Sequence, residues 1–455
     1  MIAGGTLARL RLPVSSFLVL GYPGPWLVVF TFLALHIAGY TTVEIWGLKF
    51  AQWEFLTILV AGWWLLNGKD YGWGLHILHS WPFYLAAAFT LWVGIEAFRS
   101  PDPLRGTTMF VMQARNLFLF YVFAAVLSSR PLTGKSATAM VVLGALVAAI
   151  SLSLYALVDL ALDVIQASPS LREGPGYELD RGALRLAGFA GDPNFYSIWL
   201  IPSLLLAVKS GSIPFKWITL AIMSLSLILA ASRTVLIVFF ISVPIMVLAL
   251  AFLSDSRTAV LNFAKEMGLI LVIAVVAAVG WSVGWSVVDG ISREGDSGVT
   301  FGNVTDETRG RSELKVVPGD VVTRFTNTGD SRLNLWETTL GVARDNIWIG
   351  SGLRSSQQAL GGAYSHNSYL DVLTETGLIG LGLWLGFIGI ATFRCRRLLN
   401  QSSSAAAWVH SWIILLGCLM AFSLVYYPVI WVIAAILVGA DWRGGLVNSS
   451  DEQSI

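Results

Sequence analysis

Long apolar runs separated by short polar turns fill most of this chain. A helix needs about 20 mostly apolar residues to cross a bilayer. Twelve runs approach that length: 26–43, 51–67, 80–98, 108–128, 138–163, 193–209, 214–231, 233–253, 267–288, 370–393, 407–425 and 427–440. Glu54 and Glu96 fall inside two of them. One long polar segment, Asp289 to Ser365, breaks the alternation, and a shorter polar loop covers 167–191. Residues 290–330 are polar and Gly-rich with little periodicity. Leu333, Trp336, Leu340, Ala343 and Ile347 then recur at helical spacing, which predicts an amphipathic helix over 331–347 packed against the bundle. Gly350-Ser351-Gly352 ends it. Ser368-x-x-Asp371 reads as a capping box, so the next helix is expected to start at Ser368, leaving His366 just outside a helix N-terminus. The pattern as a whole predicts an all-α polytopic membrane protein of about twelve transmembrane helices with one long extramembrane loop.

Composition supports the membrane assignment. Of 455 residues, 55% are hydrophobic and 13% charged, with a mean hydropathy of +0.70; a soluble protein has roughly 25% charged residues. Nineteen Trp and twelve Tyr suit interfacial aromatic belts. The net charge of +1 points to no class of partner. Cys395 and Cys418 fall in or beside spans, so no disulfide and no cysteine metal site is expected. Pro13 and Gly21-Tyr22-Pro23-Gly24-Pro25 interrupt the first apolar run, which predicts an uncleaved start with 12–20 at the interface.

The distribution of basic residues sets the orientation. With Arg9 and Arg11 inside, Lys69, Arg130 with Lys135, Lys209 with Lys216, Arg257 with Lys265, the Arg394–Arg397 cluster and Arg443 all fall inside. Both termini are then cytoplasmic and the two polar loops lie outside. The expected organisation is a bundle over 1–288, a periplasmic segment over 289–366, C-terminal spans of the same bundle over 367–440 and a cytoplasmic tail over 441–455. Arg99, Arg105, Arg172, Arg181, Arg185 and Arg233 stand against this rule, in or beside short outer loops. A phosphate-bearing ligand at that face is one reason to keep them there. The long segment itself holds ten acidic and eight basic residues and is no polybasic patch.

The residues that could carry chemistry are few. His366 is the only His near the long segment, and the positive end of a helix favours its neutral form; the bland alternative is an interfacial His bonded to a loop. In Arg185-x-x-Gly188-x-x-x-Asp192-Pro193-Asn194, Asp192 and Pro193 mark a helix start and Asn194 faces the outer side. Arg233 sits in a very short turn, where snorkelling competes with a ligand role. Gly134-Lys135-Ser136 lacks the rest of a nucleotide-binding loop, and no zinc, metalloprotease or nucleophile-elbow pattern is present. Asp159 and Asp163 share a helix face but are a weak cation signal. One neutral His and several arginines on one face fit group transfer with a pyrophosphate leaving group: arginines neutralise the departing charge and His deprotonates the incoming hydroxyl. A flippase, or a scaffold whose outer segment binds a partner, are the alternatives. A flippase needs basic groups deep in its spans, where Arg115 stands alone.

His366-Asn367-Ser368-Tyr369-Leu370 followed by Glu375-Thr376-Gly377-Leu378-Ile379-Gly380 resembles the signature of the O-antigen ligase and polymerase-like superfamily. Asp330-Ser331-Arg332-Leu333-x-x-Trp336, the Gly350-Ser351-Gly352 turn, Asp192-Pro193-Asn194 and Ser232-Arg233 are similar to its other motifs, in order, over about 180–385. The resemblance implies a GT-C-like glycosyltransferase of the bacterial inner membrane. Its donor would be an undecaprenyl-pyrophosphate glycan used at the periplasmic face, without metal, nucleotide or other cofactor. It makes His366 the general base and gives pyrophosphate to Arg233, Arg332 and Arg185. Asn194, Asn367 and Tyr369 are the candidates to touch glycan or acceptor. The acceptor is expected to be lipid A core, as in lipopolysaccharide ligation, with polymerisation onto a lipid-linked glycan as the alternative. The chain stops soon after Arg443, which counts against the protein-glycosylating branch.

Overall fold

The computed structural model describes residues 23–37, 42–45, 48–130, 132, 134–160, 173–174, 176–180, 183–189, 191–209, 216–230, 232–253, 261–276, 279–280, 329–399 and 403–442. Outside them fall the N-terminal interfacial stretch, the Gly-rich part of the long loop, Asp163, Arg172, Arg181 and the tail beyond 442, together with the side chains of Asp159 and Arg233.

Fourteen helices are described. They are α1 (Pro23–Ile37), α2 (Gln52–Asn67), α3 (Trp81–Phe98), α4 (Pro103–Ser129), α5 (Gly134–Leu160), α6 (Pro193–Lys209), α7 (Lys216–Leu229), α8 (Arg233–Leu253), α9 (261–276), α10 (Gly329–Asp345), α11 (Ser355–Ala359), α12 (Ser368–Leu398), α13 (Ser403–Cys418) and α14 (Pro428–Trp442). A single helical turn, Leu75–Leu78, and a 3-10 segment lie between α2 and α3. The apolar runs therefore form helices, and the amphipathic pattern over 331–347 forms α10.

Two small antiparallel sheets sit where helices or loops were expected. Thr42–Ile45 (β1) pairs with Leu48–Ala51 (β2), so the first helix stops at Ile37 rather than running to 43. The shorter polar loop carries β3 (Glu173–Gly174), β4 (Gly176–Asp180) and β5 (Ala183–Gly188) in that order. In β5, Leu184 and Leu186 are buried. A period-two pattern this short is lost beside spans of 20 residues, which is why it reads as a loop.

Among the described residues, four helices are long and apolar enough to cross a membrane: Trp81–Phe98, Pro103–Ser129, Lys135–Val158 and Ser368–Leu398. The chain is thus a mostly helical membrane protein. Several predicted spans are shorter. At 1.5 Å per residue, the 17 residues of α6 reach about 26 Å, less than the ~30 Å hydrocarbon core. From Tyr196 to Val208 every residue of α6 is buried, and it packs against α1, α5, α7 and α13. A helix that is apolar all round and covered all round is a core element.

Around it, α4 packs on α14, α3 on α4, and α12 on α3 and α14. Phe120, Trp384, Phe387 and Trp431 form the joint of that group, with the Phe387 and Trp431 rings stacked at 4.8 Å. Two of the acids inside apolar runs, Glu54 and Glu96, are paired with arginines. Glu54 meets Arg115 at 2.9 Å, and Glu96 meets Arg99 at 2.8 Å. Pairing is what makes a charge tolerable at such depth.

The feature that shapes the functional end is a break in α12. Gly377 has φ 67° and ψ −170°, outside the helical region. A break orphans the donors and acceptors on either side, which lipid cannot satisfy. Here the 347–352 turn takes them over. The N–H of Leu378 donates to Ile347 O (2.8 Å) and that of Ile379 to Trp348 O (3.2 Å). Their lost acceptors, Thr374 O and Glu375 O, receive Ser351 N–H (2.8 Å) and Gly352 N–H (3.2 Å). Thr376 O accepts from Trp92 Nε1 at 2.8 Å. The two glycine-containing motifs are thus one clamp of backbone on backbone. A Cβ on Gly377 would stand 2.4 Å from Trp348 O, and one on Gly350 2.5 Å from Glu375 O.

Gly377→Ala is therefore expected to lower stability by about 3 kcal/mol, combining left-handed strain with a backbone clash. Gly382→Ala, on the same helix with open space around it, should leave stability unchanged or raise it by less than about 1 kcal/mol. Heating the two variants in detergent and measuring the monodisperse fraction checks this; equal behaviour would refute the clamp.

Candidate functional site

The candidate site lies where helix N-termini meet. Asp192 caps α6: its Oδ1 accepts from the N–H groups of Asn194 (2.6 Å) and Phe195 (3.3 Å). Ser232, just before α8, donates to Asn194 Oδ1 at 2.7 Å. Arg332, in the first turn of α10, donates through Nη1 to Thr234 Oγ1 in the first turn of α8 (3.2 Å). His366 precedes α12 and lies close enough to Arg332 and Asp192 to feel both charges. Four helices thus begin around one spot, and their dipoles favour an anion there, although the first N–H groups of α6 and α12 are already taken by Asp192 and Asn367.

The segment that carries His366 is held from several sides. Trp336 Nε1 donates to Ser365 O (3.1 Å), and Ser365 Oγ donates to Asn367 O (3.1 Å) and accepts from Asn367 N–H (3.0 Å). His366 itself has φ 54°, the left-handed region. Such a conformation in a non-glycine residue costs on the order of 1 kcal/mol or more and persists where the surroundings impose it. Its neighbours on both sides are pinned, so the ring is presented outward: His366 is exposed while Ser365, Asn367 and Ser368 are buried.

The helix does begin at Ser368, but the cap is different from the one expected. Asn367 is the N-cap, its Oδ1 accepting from Tyr369 N–H and Leu370 N–H, each at 3.1 Å. Ser368 Oγ instead ties α12 to the chain entering α14, donating to Phe422 O (2.5 Å) and accepting from Leu424 N–H (2.7 Å). Asp371 is buried beside the Ser356, Ser365 and Ser423 hydroxyls. Either Asn or Ser can cap; the tertiary partner of Ser368 decides between them.

Although the residue stays open to solvent on one side, partial desolvation by the surrounding walls holds His366 below the ordinary imidazole pKa, the Arg332 cation pushes it further in the same direction, and Asp192 opposes more weakly. The ring is therefore neutral near pH 7 and able to accept a proton. The causes found, burial and the Arg332 charge, come from the fold and are different from the helix N-terminus invoked from sequence.

The remaining sequence candidates separate by their partners. Arg185, on β5, is buried and already engaged: Nη1 meets Glu178 at 3.3 Å, Nε donates to Ala230 O (3.3 Å) and Nη2 to Asn194 Oδ1 (3.5 Å). Arg233 opens α8 beside Ser232. Tyr369 is drawn to α13, its hydroxyl donating to Leu416 O at 3.2 Å. Two of the outer arginines are structural. Arg99 pairs with Glu96 and donates to Ile349 O (3.3 Å) and Gly350 O (3.0 Å), fastening the turn that clamps α12. Arg105 pairs with Asp102 at 3.2 Å. Residues that sequence reasoning missed include Thr234, which accepts from Arg332, and Tyr427, whose ring stacks on Phe195 at 4.3 Å. Neither has a local pattern that marks it.

Beside this spot lies a cavity of about 240 Å³ between α4, α11, α12 and the 423–427 turn. Tyr364 and Tyr427 line it on the side of His366; Asp371, Glu375 and Gln357 line its interior. Glu375 accepts from Arg354 N–H (2.9 Å), Ser356 Oγ (3.2 Å) and Tyr426 Oη (3.0 Å). Among the described residues no group of three or more His, Cys, Asp or Glu is placed to hold a metal ion.

Comparison with protein families matches residues 218–385 to the family described as O-Antigen ligase. No curated protein matches the chain. The matched residues run from α7 into α12 and include Ser232, Arg233, Arg332, His366 and the clamp at Gly350 and Gly377, whereas Arg185, Asp192 and Asn194 lie before them. Over residues 218–385 the chain is thus similar to the O-Antigen ligase family, in line with the resemblance read from its motifs.

Proposed function

We propose that this protein transfers a glycan from undecaprenyl pyrophosphate to a hydroxyl acceptor at the periplasmic face of the inner membrane, with lipid A core as the acceptor. The observation that carries the reading is the placement of a neutral, solvent-accessible His366 next to Arg332, within the ring of helix N-termini. A base and an anion site side by side are what displacement of a pyrophosphate by a hydroxyl needs.

In the reaction, the acceptor hydroxyl oxygen attacks the anomeric carbon of the donor glycan. The bond from that carbon to the pyrophosphate oxygen breaks, and undecaprenyl pyrophosphate leaves with the electron pair. His366 takes the hydroxyl proton and later releases it to water. Arg332 and Arg233 stabilise the charge that grows on the leaving group, assisted by the N-termini of α6, α8 and α12. Arg185 contributes its positive potential and, through Asn194, orients the first turn of α6; its donors are largely spent on Glu178 and Ala230. Asn367 and Tyr369 act by shaping the start of α12, since both side chains are occupied there.

His366→Ala should reduce transfer by roughly 10²–10⁴-fold, the range for a general base, while donor binding persists. The check is a reconstituted assay with a polyprenyl-pyrophosphate glycan and lipid A core, run alongside donor binding to the variant. Normal transfer by His366→Ala would refute the base assignment. A ladder of lengthening lipid-linked chains, in place of product on lipid A core, would identify a polymerase.

The acid limb of the rate profile supplies a second test. Because the pKa of His366 is depressed, the base form should survive to mildly acidic pH, and the rate should fall only as pH drops through that depressed value. Arg332→Gln removes a cation that lowers this pKa, so the limb should move to higher pH; Asp192→Asn removes an anion that raises it, so the limb should move to lower pH. Shifts of opposite sign are the expected result, and a limb that does not move in either variant would count against His366 as the titrating base.

A further inference from the structure

The cavity beside His366 is not needed to hold either the base or the pyrophosphate, yet it is built from polar groups at a place where burial is costly. Its interior presents two carboxylates, Asp371 and Glu375, one helical turn apart on α12 and both buried. Gln357, on α11, is 94% buried, lines the same space, and its Oε1 has no hydrogen-bond partner. A buried amide oxygen left unpaired costs about 1–3 kcal/mol, and a fold that keeps one on a side chain lining a cavity is arranged for a donor that arrives from outside.

The chemistry of that donor is constrained on several sides. Two acids sharing one pocket disfavour a further negative charge, so the interior is a poor phosphate site. Arg354 lines the same cavity and disfavours a simple cation. What remains is a neutral ligand rich in hydroxyl groups, each of which donates to a carboxylate or amide oxygen and accepts from a nearby N–H. Tyr364, Tyr426 and Tyr427 line the walls with amphipathic rings, and Met109 and Met112 add apolar surface. The volume of about 240 Å³ falls below that of sites for drug-sized ligands and suits a single ring.

Its place in the fold is equally specific. Tyr364 precedes His366 by two residues, and the Ser365 hydroxyl between them faces Asp371. Tyr427 lines the cavity with one part of its surroundings and stacks on Phe195, next to Asn194, with another. The cavity and the anion site therefore share a wall, and that wall carries the base.

We infer that this cavity is a sugar subsite, taking one hexose ring of the hydroxyl acceptor and reading its hydroxyls through Gln357, Asp371 and Glu375. The inference rests on the transferase reading for the identity of the ring as acceptor, and on the cavity itself for the binding of sugar. Arg354 belongs to the same device: it holds φ 66°, and its N–H anchors Glu375, so the rim and the interior are set by one strained residue.

The test separates sugar binding from transfer. Purified full-length protein in detergent is titrated with methyl glucoside, galactoside, mannoside and N-acetylglucosaminide, followed by saturation-transfer NMR. At least one should bind saturably. Gln357→Leu should weaken that binding about tenfold, as should Met109→Trp, which fills the cavity from α4 without touching the carboxylates. His366→Ala should bind the same sugar as the wild type does. In the transfer assay Gln357→Leu should raise the acceptor KM about tenfold with kcat and donor binding unchanged. No saturable binding of any of the four sugars, or unchanged affinity in both cavity variants, would overturn the subsite. Sugar binding that responds to Gln357→Leu in a protein that transfers nothing would support the subsite and defeat the transferase reading; transfer without any effect of the cavity variants would do the reverse.

Discussion

The rest of this site depends on a helix that is broken and made whole again by another segment. At Gly377 α12 gives up its own hydrogen bonds, and the backbone of 347–352 supplies replacements one for one. In a lipid-facing helix such a break is tolerated only where the neighbouring protein satisfies every freed group. The consequence is that α10, the turn after it and the first two turns of α12 move as one body. Arg99 fastens this body to α3 through the carbonyls of Ile349 and Gly350, and Glu375 fastens it to α11 and to Tyr426. His366 sits on the short stretch between the two clamped helices, and Arg332 sits on the first of them. Their relative position is therefore a property of backbone hydrogen bonds rather than of flexible side chains.

The same architecture concentrates positive potential without a cluster of free lysines. The starts of α6, α8, α10 and α12 face one another, with Arg332 and Arg233 in first turns and Asp192 capping α6. Helix dipoles are fixed in direction by the fold and need no reorganisation when a charged ligand arrives. In the proposed reaction Arg332 would have two effects: it would add to the anion site and, after burial, help to keep His366 deprotonated, so the group favouring the leaving group would also sustain the base. The neutral cavity next door, lined by carboxylates, is electrostatically the opposite of the anion site, and Tyr364 and Tyr427 stand between the two.

Sequence and structure divide the explanation unevenly. Helix existence was legible almost everywhere, because long apolar runs leave few other conformations once the backbone must satisfy itself in lipid. The start at Ser368 was legible, yet its cap fell to Asn367, because Ser368 is claimed by Phe422 and Leu424, 54 and 56 residues away. The outer arginines looked alike in sequence, all against the charge rule. The fold sorts them: Arg99 and Arg105 are spent on local carboxylates, Arg185 is buried against Glu178, and Arg332, within a segment not flagged by that rule, faces His366. Charge counting cannot make that distinction, since it has no access to partners.

By itself, then, the amino-acid sequence determined that this is a helical membrane protein and that His366 stands before a helix with a set of ordered motifs on either side. Those are consequences of local pattern: hydrophobic length, helix-start chemistry and the spacing of glycines. Only the tertiary structure decided that the motifs around Gly350 and Gly377 are two halves of one clamp, that the twelve apolar runs include core helices too short to span, and that Gln357, Asp371 and Glu375 enclose a cavity. These depend on contacts between α3, α4, α10, α11, α12 and the turn before α14, and a contact between segments tens to hundreds of residues apart leaves no periodic trace along the chain.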